Sequence, residues 1–127
     1  MTPEEKRALV DRYLSAYNAF DIDGMMTALH PAIEFRNITG GEVNARASGL
    51  DELRKLAGQA NAIFSSHEQT IIKFEAEDDR AAVEVQFRGV IAADFPNGMK
   101  RGQALELIGR TEFGFRDGLI CAITDIS

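Results

Sequence analysis

At 127 residues the chain has the size of one domain and can bury an ordinary core with room for a cavity. A composition 45% hydrophobic and 27% charged excludes a disordered chain. A net charge of -6 with no basic stripe argues against a nucleic-acid partner, and no apolar run approaches the ~20 residues of a bilayer span, so no membrane association is expected.

One cysteine, Cys121, precludes an intrachain disulfide, and its apolar strand context reads as a small core or pocket residue rather than a catalytic thiol. The N-terminus has no signal-peptide apolar region, so a reducing, cytoplasmic compartment is the expectation. No HxxxH, HxH or Cys/His cluster exists, and Gly40-Gly41 lacks the lysine and spacing of a phosphate loop. Neither a metal nor a cofactor is expected.

The chain opens on a helix start. Thr2-Pro3-Glu4-Glu5 offers a capping residue, proline at the first helical position and a glutamate three after the cap. Leu9, Tyr13, Ala16, Tyr17 and Phe20 then recur at helical spacing. Asp21 caps a shorter helix from Ile22 to about Leu29, stopped by His30-Pro31, because a residue before proline resists the α region. Ile33 to Asn37 alternates and reads as a strand, followed by a loop containing Thr39-Gly40-Gly41. Ser48 and Asp51 open a third helix to about Phe64, with Leu53, Leu56, Ala57, Ala60 and Phe64 on one face.

Beyond Ser65-Ser66 the period changes to two. Four strands are expected, about His67–Ala76, Arg80–Ala93, Gln103–Phe115 and Leu119–Ile126. Glu77-Asp78-Asp79, Pro96-Asn97-Gly98 and Arg116-Asp117-Gly118 separate them. Short connections make the last three strands antiparallel neighbours. Helices first and a meander last give an α+β fold, and long antiparallel strands coil into a sheet with a concave and a convex face. Glu84, Gln86, Arg88 and Val90 share one side of their strand, and Glu106, Ile108, Arg110 and Glu112 one side of the next. Such mixed faces read as solvent or a dimer interface.

The order of elements, with Arg12-Tyr13-Leu14, Phe20-Asp21-Ile22-Asp23-Gly24, His30-Pro31-Ala32-Ile33-Glu34-Phe35, Phe115-Arg116-Asp117-Gly118-Leu119-Ile120 and Thr124-Asp125, resembles the superfamily of nuclear transport factor 2, steroid Δ-isomerase and SnoaL-like proteins. The resemblance spans residues 1–127 as one such domain and implies three N-terminal helices packed on a strongly curved, mostly antiparallel sheet, forming a cone with a pocket. It also implies homodimers through the convex sheet face, here the faces carrying Arg88 and Arg110. This scaffold hosts isomerases, cyclases, dehydratases, epoxide hydrolases and non-catalytic binders, so the fold leaves the reaction open.

The resemblance is informative residue by residue. Steroid isomerases of this family use a tyrosine on the first helix, an aspartate at the end of the first strand and a protonated aspartate on the penultimate strand. Tyr13 matches the first, but Asn37 and Thr111 occupy the other two positions, and an amide cannot accept a proton at neutral pH. Limonene-type epoxide hydrolases carry Tyr-x-Asn at the end of the first strand, an aspartate near the end of the last and an Arg-x-Asp unit between them. Here Phe35-Arg36-Asn37 keeps the asparagine, Thr124-Asp125-Ile126 keeps the aspartate, and Arg88 falls near the arginine with Val90 replacing its partner. SnoaL-type cyclases also use a pocket carboxylate, a role open to Asp125.

The expected catalytic set is therefore Asp125 as acid/base, Asn37 as an orienter of water or carbonyl and Tyr13 as hydrogen-bond donor. Asp125 shares its strand parity with Cys121 and Ile123, the side that the resemblance assigns to the pocket. Tyr17, Phe35, Leu53, Leu56, Phe64, Val85, Phe87, Thr111, Phe113 and Ile123 are expected around a small, largely apolar ligand. The bland alternatives stay open. Asp125 at a strand end reads equally as a solvated acid, Tyr13 and Tyr17 as core aromatics, and Asn37 as a tie for the Thr39-Gly40-Gly41 loop. A cofactor-independent acid/base enzyme is the leading reading; a non-catalytic ligand-binding or dimeric interaction module is the other.

Overall fold

A computed structural model describes residues 1–127. The chain runs α1 (Pro3–Asn18), α2 (Ile22–Thr27), β1 (Leu29–Thr39), β2 (Glu42–Ser48), α3 (Leu50–Asn61), β3 (Phe64–Glu77), β4 (Arg80–Ile91), β5 (Ala104–Arg116) and β6 (Leu119–Ile126). The six strands form one sheet in the order β2-β1-β6-β5-β4-β3. Every pairing is antiparallel except β1 with β6, which is parallel. The α+β cone with a mostly antiparallel sheet is thus the observed architecture.

Local chemistry explains the entry. The Thr2 hydroxyl accepts from the Glu5 amide at 3.1 Å, and the Glu5 carboxylate accepts from the Thr2 amide at 2.8 Å. This reciprocal pair satisfies two donors that the first helical turn leaves free. Leu9, Val10, Tyr13 and Leu14 form the buried face of α1. Phe20 then adopts φ +58° and reverses the chain, and the Asp21 carboxylate caps α2 by accepting from Gly24 N at 2.9 Å. A side chain at position 24 would collide with Asp21 Oδ2, 2.3 Å from an ideal Cβ.

Three expectations about elements need correction. Helix α2 ends at Thr27, not near Leu29, and His30-Pro31 lies inside β1, in the stretch where its register with β6 shifts. Residues 42–48 form β2 rather than loop, paired with β1 by a hairpin through Gly40 and Gly41 at φ +60° and +83°. Helix α3 begins after Gly49 at φ +85°; the Ser48 hydroxyl instead donates to Glu34 at 2.7 Å, and the helix ends at Asn61, so Phe64 starts β3.

Helix α1 packs on β3, α3 packs on β1 and β2, and α2 bridges α1 and α3. The core between these layers includes Ile33, Val83, Ile120 and Ile123, each at most 1% exposed. No helix is long and apolar enough to cross a membrane.

Candidate functional site

The concave face is built from alternate residues of neighbouring strands. Ala45, Asn37, Asp125, Thr111 and Val83 are successive register partners across β2, β1, β6, β5 and β4. One row of the sheet therefore places Asn37, Asp125 and Thr111 side by side. Above this row lies a cavity of about 270 Å³. That is just under the range of drug-sized ligand pockets.

The sheet supplies Phe35, Asn37, Ala45, Gln69, Thr111, Phe113 and Asp125 to its wall. The helices supply Tyr13, Leu14 and Tyr17 from α1, Met25 from α2, and Leu53, Leu56, Ala57 and Ala60 from α3. The structure thus brings together the expected Tyr13, Tyr17, Phe35, Asn37, Leu53, Leu56, Thr111, Phe113 and Asp125. It places the other expected wall residues elsewhere. Val85 and Ile123 are fully packed in the core, and Phe64 and Phe87 face each other edge-on at 5.3 Å outside the cavity wall.

Asp125 is partly exposed and lines the cavity. Its Oδ1 accepts from the Thr111 hydroxyl at 2.7 Å. Burial pushes the carboxyl pKa up to about 6, against the downward pull of the Thr111 bond. Desolvation wins because one neutral donor replaces the several waters that an exposed carboxylate would hold. Tyr13 and Tyr17 face the same space. Burial first, and then the Asp125 charge, raise the Tyr13 hydroxyl far above its ordinary range. The Tyr17 hydroxyl is pushed up to about 12, again chiefly by burial, with Gln69 pulling the other way. Both tyrosines are therefore neutral hydrogen-bond donors at any working pH. The Tyr13 ring stands edge-on to Phe113 at 6.2 Å, which fixes its direction.

Asn37 turns out to do two things. Its Nδ2 donates to Asn44 Oδ1 at 2.7 Å and to Thr39 Oγ1 at 3.3 Å, tying the β1–β2 hairpin. Its carbonyl oxygen makes no hydrogen bond within the chain, and the residue lines the cavity.

One other expectation is overturned, that of Cys121, while Arg88 keeps the convex face expected of it. Cys121 does not share the side of Ile123 and Asp125: the β5–β6 register shifts between Gly114 and Phe115 and leaves Cys121 unpaired. The thiol lies beside Gly114 and Ala122, lining a groove with Arg36, Glu112 and Thr124. Arg88 is on the convex face, 3.8 Å from Glu106, so it supplies no arginine to the cavity.

Sequence reasoning missed Leu14, Met25, Ala45 and Gln69, and it treated Ala57 and Ala60 only as a helix face. It also missed the setting of His67. That ring is 5% exposed and sandwiched between Tyr17 at 4.2 Å and Phe20 at 3.9 Å. Its Nε2 pairs with Asn61 Oδ1 at 2.9 Å, while Nδ1 is buried without a partner. Burial holds its pKa below the usual value. This stack backs the Tyr17 ring from outside the cavity. No group of three or more His, Cys, Asp or Glu side chains is placed to hold a metal ion.

A cone of helices on a curved sheet, with a polar row on its concave floor, is the nuclear transport factor 2-like architecture. Within it, the SnoaL-like domain family matches residues 10–123, and the chain belongs to that family. No curated protein matches the chain. Among solved structures, TsrD from Streptomyces laurentii is similar with a TM-score of 0.81 at 20% identity, over 98% of this chain and 89% of that one. A candidate polyketide cyclase from Xanthomonas campestris pv. campestris is similar with a TM-score of 0.78 at 24% identity, over 98% and 90%. An LEH-like epoxide hydrolase from M. tuberculosis is similar with a TM-score of 0.76 at 19% identity, over 97% and 82%. At these identities the likeness concerns the fold.

Proposed function

We propose that this protein is a small-molecule enzyme of the acid/base type, acting on a small, largely apolar ligand held in the cone. The observation that carries the reading is Asp125: a desolvated carboxyl on the cavity wall, bonded through one oxygen to Thr111, with a pKa of about 6. A group poised near neutrality can both take and return a proton at working pH. Asp125 would abstract a proton from a carbon acid or a bound water. Tyr13 would donate to the oxygen on which charge develops, since a neutral hydroxyl in a dry cavity stabilises an oxyanion better than one in water. The Asn37 carbonyl would orient the water or polar head by accepting from it.

Isomerisation, cyclisation and epoxide opening all fit this set. The similar folds of a candidate polyketide cyclase and of an LEH-like epoxide hydrolase support the range without choosing within it. The test is Asp125→Asn against a panel of small ketones and epoxides. Loss of turnover with an unchanged fold is expected. Undiminished turnover would sink the assignment of Asp125; no turnover by the wild type on any of the panel would favour the non-catalytic binder.

We also propose that the convex face pairs with a second copy. Lys73, Glu84 and Arg110 form one row there and Glu68, Arg88 and Glu106 another, around Ile108, which is 64% exposed. Rows of both signs around an apolar centre are self-complementary under a two-fold axis. Native mass spectrometry at micromolar concentration should show a dimer; a clean monomer would contradict it. The half-exposed Cys121 thiol suits a reducing compartment such as the cytoplasm.

A further inference from the structure

The polar atoms on the cavity floor share a property that the acid/base reading does not use. All are acceptors. Thr111 spends its hydroxyl hydrogen on Asp125 Oδ1, which leaves its own lone pairs and the Asp125 Oδ2 atom free. Asn37 directs its amide nitrogen at Asn44 and Thr39, which leaves its carbonyl oxygen. These three residues are adjacent in register, on β5, β6 and β1. No lysine or arginine lines the cavity around them. Helix α1 contributes Tyr13 and Tyr17; α2 and α3 contribute Met25, leucines and alanines; β2 and β3 contribute Ala45 and Gln69; the neighbouring β4 position is Val83. An ionised Asp125 in this setting is a half-buried charge with one hydrogen bond, and such a charge gains from a partner that pairs with it.

We propose that the cavity binds small apolar amines as their ammonium cations, with the nitrogen seated on the acceptor row of Asn37, Asp125 and Thr111 and the hydrocarbon against the apolar wall. An ammonium carries three N–H donors and one positive charge, which match three acceptors and one carboxylate. Tyr13, Tyr17, Phe35 and Phe113 add aromatic surface, which favours a cation over an isosteric neutral group. An anion of the same shape meets the Asp125 charge with only neutral donors, the tyrosine hydroxyls and the Gln69 amide, to offset it. This rests on the cavity reading above but not on its acid/base step. Ion pairing draws the Asp125 pKa down and makes it a weaker base, so a bound amine competes with the neutral ligand on which that step would run.

The test compares three probes of one shape: cyclohexylamine, cyclohexanol and cyclohexanecarboxylate, titrated calorimetrically at pH 8 and pH 5. The expected result at pH 8 is an amine bound roughly tenfold or more tighter than the alcohol, with no detectable carboxylate binding. At pH 5 the amine preference should shrink about tenfold, because Asp125 is then protonated. Asp125→Asn should remove the preference at both pH values while alcohol binding persists. Equal binding of amine and alcohol at pH 8 would overturn the proposal and leave the cavity reading intact. A preference that survives Asp125→Asn would also overturn it, because the cation would then sit elsewhere. Failure of all three probes to bind would overturn it together with the small-ligand reading itself.

Discussion

The two faces of the same strands differ in how they treat charge. On the convex face Arg110 meets Glu112 at 3.2 Å, Lys73 meets Glu75 at 3.0 Å, and Arg88 approaches Glu106 at 3.8 Å, all in solvent. On the concave face a single carboxyl, Asp125, sits between a threonine and an asparagine with no cation near it. The same residue type is cheap and inert on one side of a strand and perturbed on the other. Water makes the difference: it screens each exposed pair to a small net value and is largely withheld from Asp125.

The largest effect expected from this contrast is on turnover. Asp125→Asn should cost roughly 10²–10⁴-fold in kcat on any substrate that the protein proves to convert, the usual range for a positioned acid/base. Steady-state kinetics would check it, and far-ultraviolet circular dichroism would show the fold retained. Next is the apolar wall beside Asp125. Phe113 is 2% exposed and braces Tyr13, so Phe113→Ala should destabilise the protein by about 3–5 kcal/mol in urea melts.

A third effect follows from linkage. The Asp125 pKa is about 6 in the folded protein against an unperturbed 3.8, so the folded state binds the proton more tightly than the unfolded chain. The stability this contributes is fully present below about pH 4 and is lost as pH rises through about 6, by at most about 3 kcal/mol. His67 acts in the opposite direction: its lowered pKa means stability that is present above 6.5 and lost as pH falls below it. The difference between wild type and Asp125→Asn isolates the aspartate. The variant should melt higher than wild type at pH 8, and the gap should narrow towards pH 4. The smallest effect belongs to the convex face, where Arg110→Ala should change protomer stability by less than about 1 kcal/mol in thermal melts.

Much of this contrast was legible in the sequence, because it is carried by period. The 3.6-residue spacing of Leu9, Tyr13 and Tyr17 and the alternation around Glu84 and Arg110 assigned those residues to their faces. Asp125 stood out as an acid within an apolar strand. What failed was what period cannot encode. The bulge between Gly114 and Phe115 flips Cys121 away from Ile123 and Asp125. Strand β2 went unseen although Val43, Ala45 and Ala47 alternate with Asn44 and Arg46, because alanines give a weak apolar signal beside a glycine-rich turn. Val85, Phe87 and Phe64 lie on the concave side of their strands, but α1 packs over β3 and the cavity opens farther along the sheet. Gln69 reads from sequence as one polar residue in a mixed strand; only the fold sets it beside Tyr17. The lone imidazole His67 gave no hint that two aromatic rings enclose it.

The most direct test of the account is the titration of Asp125 itself, followed through its side-chain carboxyl carbon by NMR from pH 3 to 9. The midpoint should lie near 6. A midpoint at the ordinary value of 3.8 would mean that water reaches the carboxyl freely, and the cavity would then hold no acid/base to build a reaction on.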